Sequence, residues 1–145
     1  TEKACIYLTS GSGWNEITGN TFYALNKPAM FFDNANQTVV ANNIIEGISG
    51  AGTIYDIQIK DSNRIVITAN YIKIADDGSV GDGVFLTNSD FCVVSGNVIT
   101  DNRRYGVNIS GSTCDETAVV GNVFYNNPTG AVNNLGTLSV VANNS

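Results

Sequence analysis

The sequence contains no histidine, and this absence removes several kinds of chemistry. Neither a Ser-His-Asp triad nor a histidine-ligated metal site can be built from these 145 residues. The three cysteines, Cys5, Cys92 and Cys114, stand at no metal-ligand spacing, and an odd number fits no closed disulfide framework. We therefore expect small buried thiols, with a bridge between Cys92 and Cys114 left open as the alternative.

Charged residues are also scarce, at 14% of the chain, where about a quarter is usual. The net charge is −6, and no basic cluster is larger than the pair Arg103–Arg104. Phosphate backbones and anionic lipids both require a concentrated positive surface, so these partner classes are disfavoured. No apolar run approaches the roughly 18 residues of a membrane span. We expect no nucleic-acid partner and no membrane partner.

Asparagine is abundant instead, at 20 residues, and much of it belongs to a repeat. The phrase [IV]-x-x-N-x-[IF] occurs five times, and the chain ends before a sixth copy is complete. The asparagines of this phrase are Asn20, Asn43, Asn70, Asn97, Asn122 and Asn144. They lie 22 to 27 residues apart, a period typical of solenoids. A second phrase, such as GVFLTNSD from Gly83, precedes each copy.

Each repeat supplies three short strands, because β-branched residues alternate between Gly and Asn turns and no helical period survives. The sequence therefore predicts an all-β fold, a single-stranded parallel β-helix of about six coils, with residues 1–145 as one domain. We expect the repeated asparagines to form an inward ladder, in which each amide bonds the backbone and its equivalent on the next coil.

These corners, together with the G-[VA]-x-[LI] strands, resemble the right-handed parallel β-helix superfamily of pectate-lyase-like proteins. That superfamily includes carbohydrate-binding and sugar-hydrolase repeat domains and phage tailspikes. The resemblance covers almost the whole chain and is specific for fold rather than for activity. It implies a polysaccharide partner held on the outer face of one sheet, and association of three parallel copies as in the tailspikes. The acidic, weakly charged composition is that of an extracellular, cell-surface or virion protein.

The first strand of each coil provides the predicted sugar-binding face. Residues that alternate with the inward aliphatic positions point outward, and they combine aromatic rings with hydrogen-bonding groups, as sugar sites do. The candidate substrate-binding residues are Tyr7, Phe31, Asp33, Gln58, Lys60, Phe85 and Asn108. Val132 and Asn134 are expected to continue this face in the last coil. Asp33 and Lys60 occupy equivalent positions on adjacent coils, where an ion pair can form.

A catalytic constellation is incomplete in this sequence. Glycoside hydrolysis needs two carboxyl groups about 5–9.5 Å apart, and the candidates Asp33 and Asp56 lie at the far edge of that range. The polygalacturonase signatures of the superfamily are absent. Asp76, Asp77 and Asp82 lie in a glycine-rich loop and are calcium candidates, although their spacing is not that of an EF-hand. Ion pairs from Arg103 and Arg104 to these acids are the competing interpretation, and no cofactor is assigned.

We interpret the chain as a β-helix module that recognises polysaccharide without a strong catalytic signature. The alternatives are a polysaccharide-degrading enzyme, either a glycoside hydrolase or a lyase, and a structural spacer without a ligand. The chain begins and stops within strand phrases and offers no capping segment, whereas solenoids need capped ends. We therefore expect a fragment of a longer chain, or ends covered by partner subunits, with a parallel homotrimer preferred.

Overall fold

The computed structural model describes residues 4–23, 26–48, 53–74 and 81–145, and these residues fold as short strands joined by turns. The strands are β1 (Ile6–Leu8), β2 (Gly13–Thr18), β3 (Thr21–Tyr23), β4 (Met30–Asp33), β5 (Asn36–Ala41), β6 (Ile44–Ile48), β7 (Ile57–Lys60), β8 (Val66–Thr68), β9 (Tyr71–Ile74), β10 (Val84–Thr87), β11 (Val93–Ser95), β12 (Val98–Thr100), β13 (Tyr105–Ile109), β14 (Ala118–Val120), β15 (Val123–Tyr125), β16 (Gly130–Asn134) and β17 (Val140–Ala142). No helix long and apolar enough to cross a membrane occurs in this part of the chain.

Each strand pairs in parallel with the strand three places later in the chain, and this pairing gives three sheets. Sheet A has the order β1-β4-β7-β10-β13-β16, sheet B the order β2-β5-β8-β11-β14-β17, and sheet C the order β3-β6-β9-β12-β15. The described residues thus wind through five complete coils and two strands of a sixth. The prediction of an all-β parallel solenoid is confirmed.

The interior is filled by matching side chains from successive coils. Phe32, Ile59 and Leu86 are in register on neighbouring strands of sheet A, and each is fully buried. Ile45, Ile72 and Ile99 form an equivalent column on sheet C. Each such side chain contributes roughly 1.5–3 kcal/mol by leaving water, so the columns hold the coils together.

The predicted asparagine ladder is confirmed at the corner between sheets B and C. The buried amides of Asn43, Asn70, Asn97 and Asn122 stack in one column. Asn70 donates from its backbone N–H and from Nδ2 to Asn97 Oδ1, at 2.9 and 3.0 Å, and Asn97 does the same to Asn122 Oδ1. Each Nδ2 also donates to a backbone carbonyl of the preceding coil, as Asn97 does to the Ile67 carbonyl at 2.9 Å. The corner therefore satisfies its own buried polar groups.

A second corner, at the start of sheet B, has a feature that the sequence did not reveal. Six non-glycine residues stack there with φ between 53° and 58°, the left-handed region that costs most residues about 1–2 kcal/mol. Backbone bonds to the next coil hold them: the N–H groups of Gln37, Arg64 and Phe91 each donate to a carbonyl at 3.0 Å. The column comprises Trp14, Gln37, Arg64, Phe91, Glu116 and Leu138.

The predicted register of β16, the last strand of sheet A, is wrong by one residue. Gly130 pairs with Tyr105 rather than with Gly106, so Val132 aligns with the inward Val107 and packs against the core. Asn133, not Asn134, joins the column of Asn108. A one-residue change of register moves every side chain to the opposite face, which explains why both positions were misassigned.

Candidate functional site

The outer face of sheet A brings the predicted residues into one column. Tyr7, Phe31, Gln58, Phe85 and Asn108 are consecutive register partners across β1, β4, β7, β10 and β13. The rings of Tyr7 and Phe31 lie 5.3 Å apart, centroid to centroid, and are tilted by 36°. Neighbouring strands are about 4.8 Å apart, so the column offers one side chain per step along the rod.

The predicted pairing of Asp33 with Lys60 is confirmed. Lys60 Nζ lies 3.4 Å from Asp33 Oδ1 and 3.3 Å from Asp61 Oδ2, while the Tyr7 hydroxyl donates to Asp33 Oδ2 at 3.2 Å. The hydrogen bond to Asp61, and then that to Asp33, raise the pKa of Lys60 above its ordinary value. These groups are partly exposed, so the network orients polar atoms at the surface more than it stabilises the fold.

Tyr55 is a site residue that the sequence interpretation missed. Its ring stacks on Phe85 at 4.1 Å with an interplanar angle of 11°, although Tyr55 precedes β7 and belongs to no strand. Burial, followed by the nearby Asp82 carboxylate, raises the pKa of the Tyr55 hydroxyl. Nothing in the strand periodicity marks a residue that reaches the face from a loop.

Asn108 points outward as expected, but it is buried by its neighbours. Its Nδ2 donates to Asp82 Oδ2 at 2.8 Å, and its Oδ1 accepts from Asn133 Nδ2 at 2.9 Å. Asp82 is itself fully buried, accepts the Tyr105 N–H at 3.0 Å, and lies 3.5 Å from Arg104 Nε. This end of the face is a closed polar network, unlike the more open end at Tyr7 and Phe31.

The two catalytic candidates do not face a common groove. Asp33 lies on the outer face, whereas Asp56 is fully buried and stands one residue before the inward Ile57. Within the described residues neither carboxylate oxygen of Asp56 has a hydrogen-bond partner, and burial raises its pKa well above the ordinary value. The prediction extended the outward alternation of β7 to Asp56, but β7 begins at Ile57 and the Asp56 side chain is buried.

The calcium candidates are only partly described. Asp76 and Asp77 lie outside the described residues. The oxygens of Asp82 are occupied by protein donors, which include the expected arginine partner Arg104. No group of three or more Cys, Asp or Glu side chains arranged to hold a metal occurs in the ranges that the structure covers.

The stacked parallel coils, buried ladder and open aromatic face define a β-solenoid of the parallel β-helix class. The chain belongs to the NosD family, whose description is periplasmic copper-binding protein; the match covers residues 2–141. A comparison with curated proteins found no match.

Two expectations change with this membership. The family is periplasmic, so the extracellular, cell-surface or virion location is wrong. An acidic, weakly charged, asparagine-rich composition suits many compartments and could not distinguish them. The tailspike part of the resemblance likewise has no support in the family match, whereas the parallel β-helix part does.

The described residues do not fit a copper site. Copper in proteins prefers imidazole, thiolate and thioether ligands. The chain has no His and a single methionine, Met30, which is fully buried in the core. Cys92 and Cys114 are free and buried; burial raises the pKa of Cys92 to about 12 and also raises that of Cys114. Both thiols are closed off from the surface, and they belong to no group of three or more candidate ligands among the described residues.

Proposed function

We propose that this chain is a periplasmic β-helix module that recognises polysaccharide along the outer face of sheet A. The observation that carries the proposal is the alternation of aromatic and polar groups at strand spacing. Two aromatic pairs, Tyr7–Phe31 and Tyr55–Phe85, flank Gln58. Asp33 and Lys60 lie beside the column with their polar atoms ordered. Flat apolar surfaces next to oriented hydrogen-bonding groups are what a sugar ring requires.

A glycan array carrying neutral and acidic oligosaccharides tests this function, followed by calorimetry on any hit. We expect Phe31→Ala to weaken binding by about two- to tenfold, since an aromatic contact contributes roughly 0.5–1.5 kcal/mol. Thr68→Ala on sheet B is the matched control and should leave the affinity unchanged. A folded protein that binds no glycan on the array would refute the proposal and favour the spacer.

The enzyme alternative is less well supported, although a second open carboxylate, that of Asp61, lies beside Asp33. The hydrogen bond from Asn88 lowers the pKa of Asp61, whereas the general acid of a glycoside hydrolase needs a raised pKa. We expect no release of reducing ends from acidic or neutral polysaccharides. Release that Asp33→Asn abolishes would establish the enzyme instead.

We also propose that copies associate side by side in a parallel trimer. The outer face of sheet B supports this, because its register column is apolar and uncharged over four coils. The column consists of Val39, Val66, Val93 and Ala118.

A further inference from the structure

A concave surface lies away from sheet A, where the strands of sheet C end. It is a cleft of about 460 Å³, and none of its described lining residues belongs to sheet A. Clefts that bind small molecules usually measure about 300–1,000 Å³. The cleft is therefore large enough for a small ligand and is separate from the face assigned above.

The register of sheet C explains which side chains line this cleft. Tyr23, Glu46 and Lys73 are consecutive partners on β3, β6 and β9, so they lie one coil apart on the same outer column. Asp101 follows β12 and adds a carboxylate one coil further along. An aromatic ring, an acid, a base and a second acid thus follow one another along the rod, and Arg103 adds a second base to the lining.

The charged groups are accessible to a ligand. Lys73 Nζ lies 3.6 Å from Glu46 Oε1, and their side chains are 35% and 39% exposed. Such a pair is weak in water and exchanges readily for a ligand's charges. Asp101 is held in place by Asn126 Nδ2 at 2.8 Å and by the Thr100 hydroxyl at 3.1 Å. The Asp101 carboxylate is therefore ordered. Among the described residues, none of the salt bridges involves Asp101.

The aromatic end supplies a platform. Tyr23 is 68% exposed, so its ring as well as its hydroxyl group is accessible to solvent. A ligand whose ring stacks on Tyr23 would place its substituents over Glu46 and Lys73. Because one of these is an anion and the other a cation, the best-matched ligand carries both signs of charge.

We propose that this cleft binds a zwitterionic saccharide, a sugar with an ammonium and a carboxylate group. Lys73 receives the carboxylate, Glu46 receives the ammonium, and Tyr23 stacks on the ring. The site is independent of the sheet A face and requires no polysaccharide there.

Three monosaccharide probes separate the charges: muramic acid carries both groups, glucosamine only the amine, and glucuronic acid only the carboxylate. Chemical shifts in a titration of the ¹⁵N-labelled protein report both the affinity and the location. We expect muramic acid to bind at least tenfold more tightly than the other two and to shift Tyr23 and Lys73. Raising the salt concentration should weaken it.

The Lys73→Gln variant should no longer bind muramic acid more tightly than glucosamine. The Glu46→Gln variant should no longer bind muramic acid more tightly than glucuronic acid. Thr68→Ala on sheet B is the control and should leave all three affinities unchanged. Equal binding of the three probes, or no binding by the folded protein, would overturn the proposal. An alanyl-alanine dipeptide that binds as tightly as muramic acid would overturn the saccharide assignment.

Discussion

Asp56 is a buried carboxyl group in a position otherwise given to small side chains. The residues that align with it one coil before and one coil after are Ala29 and Gly83. In the coil of Gly106, a Cβ at the same position would collide with the Phe124 ring. The carboxyl group of Asp56 therefore occupies interior space that the repeat keeps narrow.

Replacement of Asp56 by Asn should stabilise the protein near neutral pH. The pKa of Asp56 is higher in the folded state than in the unfolded state. The free energy of unfolding is therefore greatest below the unfolded-state pKa, and it decreases as the pH rises to the folded-state pKa. The amide lacks this dependence, so we expect a gain of about 1–3 kcal/mol at pH 7. Urea melts at pH 4.5, 7 and 8.5 measure the difference. A difference that does not change with pH would show that ionisation of Asp56 is not its cause.

The cysteines should differ sharply in reactivity. Cys5 is exposed, whereas the thiol of Cys92, with its pKa raised to about 12, and that of Cys114 are buried and protonated. We expect a thiol reagent at pH 8 to label Cys5 in the native protein and all three residues in urea. Mass spectrometry of the labelled peptides gives the count. Rapid native labelling of Cys92, or a denatured protein with one reactive thiol, would contradict the buried free pair.

At the scale of the strand and turn, each middle member of the asparagine ladder makes several hydrogen bonds: Asn97 donates from its N–H and from Nδ2 and accepts at Oδ1. Asn97→Leu should destabilise by roughly 2–4 kcal/mol, because the Asn70 N–H and the Ile67 carbonyl lose their partner inside the protein. Asn20→Leu is the matched control: Asn20 occupies the exposed end of the same column and donates to Asn43 only on one side. Denaturant midpoints of the two variants should therefore differ. Equal losses of stability in the two variants would mean that asparagine is needed for the turn conformation rather than for the hydrogen bonds of the ladder.

The sequence predicted the elements whose side chains repeat, and missed those defined by backbone or loop geometry. The columns of Ile67 and Asn97 follow from period and residue type alone. The left-handed column at Gln37 and Arg64 does not, because interstrand backbone bonds determine it and almost any side chain can occupy it. The loop residue Tyr55 and the cleft beside Lys73 depend on where turns place side chains, which a repeat pattern does not specify.

At the scale of the whole molecule, the proposed side-by-side trimer predicts a definite mass in solution. We expect light scattering to give a mass near three times the 15.3 kDa of the chain. Val66→Lys places a charge in the middle of the apolar column of sheet B and should yield the monomer. Lys60→Ala on sheet A is the control and should not change the mass. A wild-type protein that elutes as a stable monomer would exclude the trimer.

The large separation along the chain between residues of neighbouring coils also bears on how quickly the molecule reaches its native state. The hydrogen bonds between the middle asparagines of the ladder join residues 27 positions apart, about a fifth of the chain length. All-β proteins with separations of this order fold in milliseconds to seconds. Since a coil gains its bonds only when a neighbour is already in place, growth should spread outward from one nucleus. Amide hydrogen exchange should then be slowest at Asn70 and Asn97 and fastest at the terminal rungs.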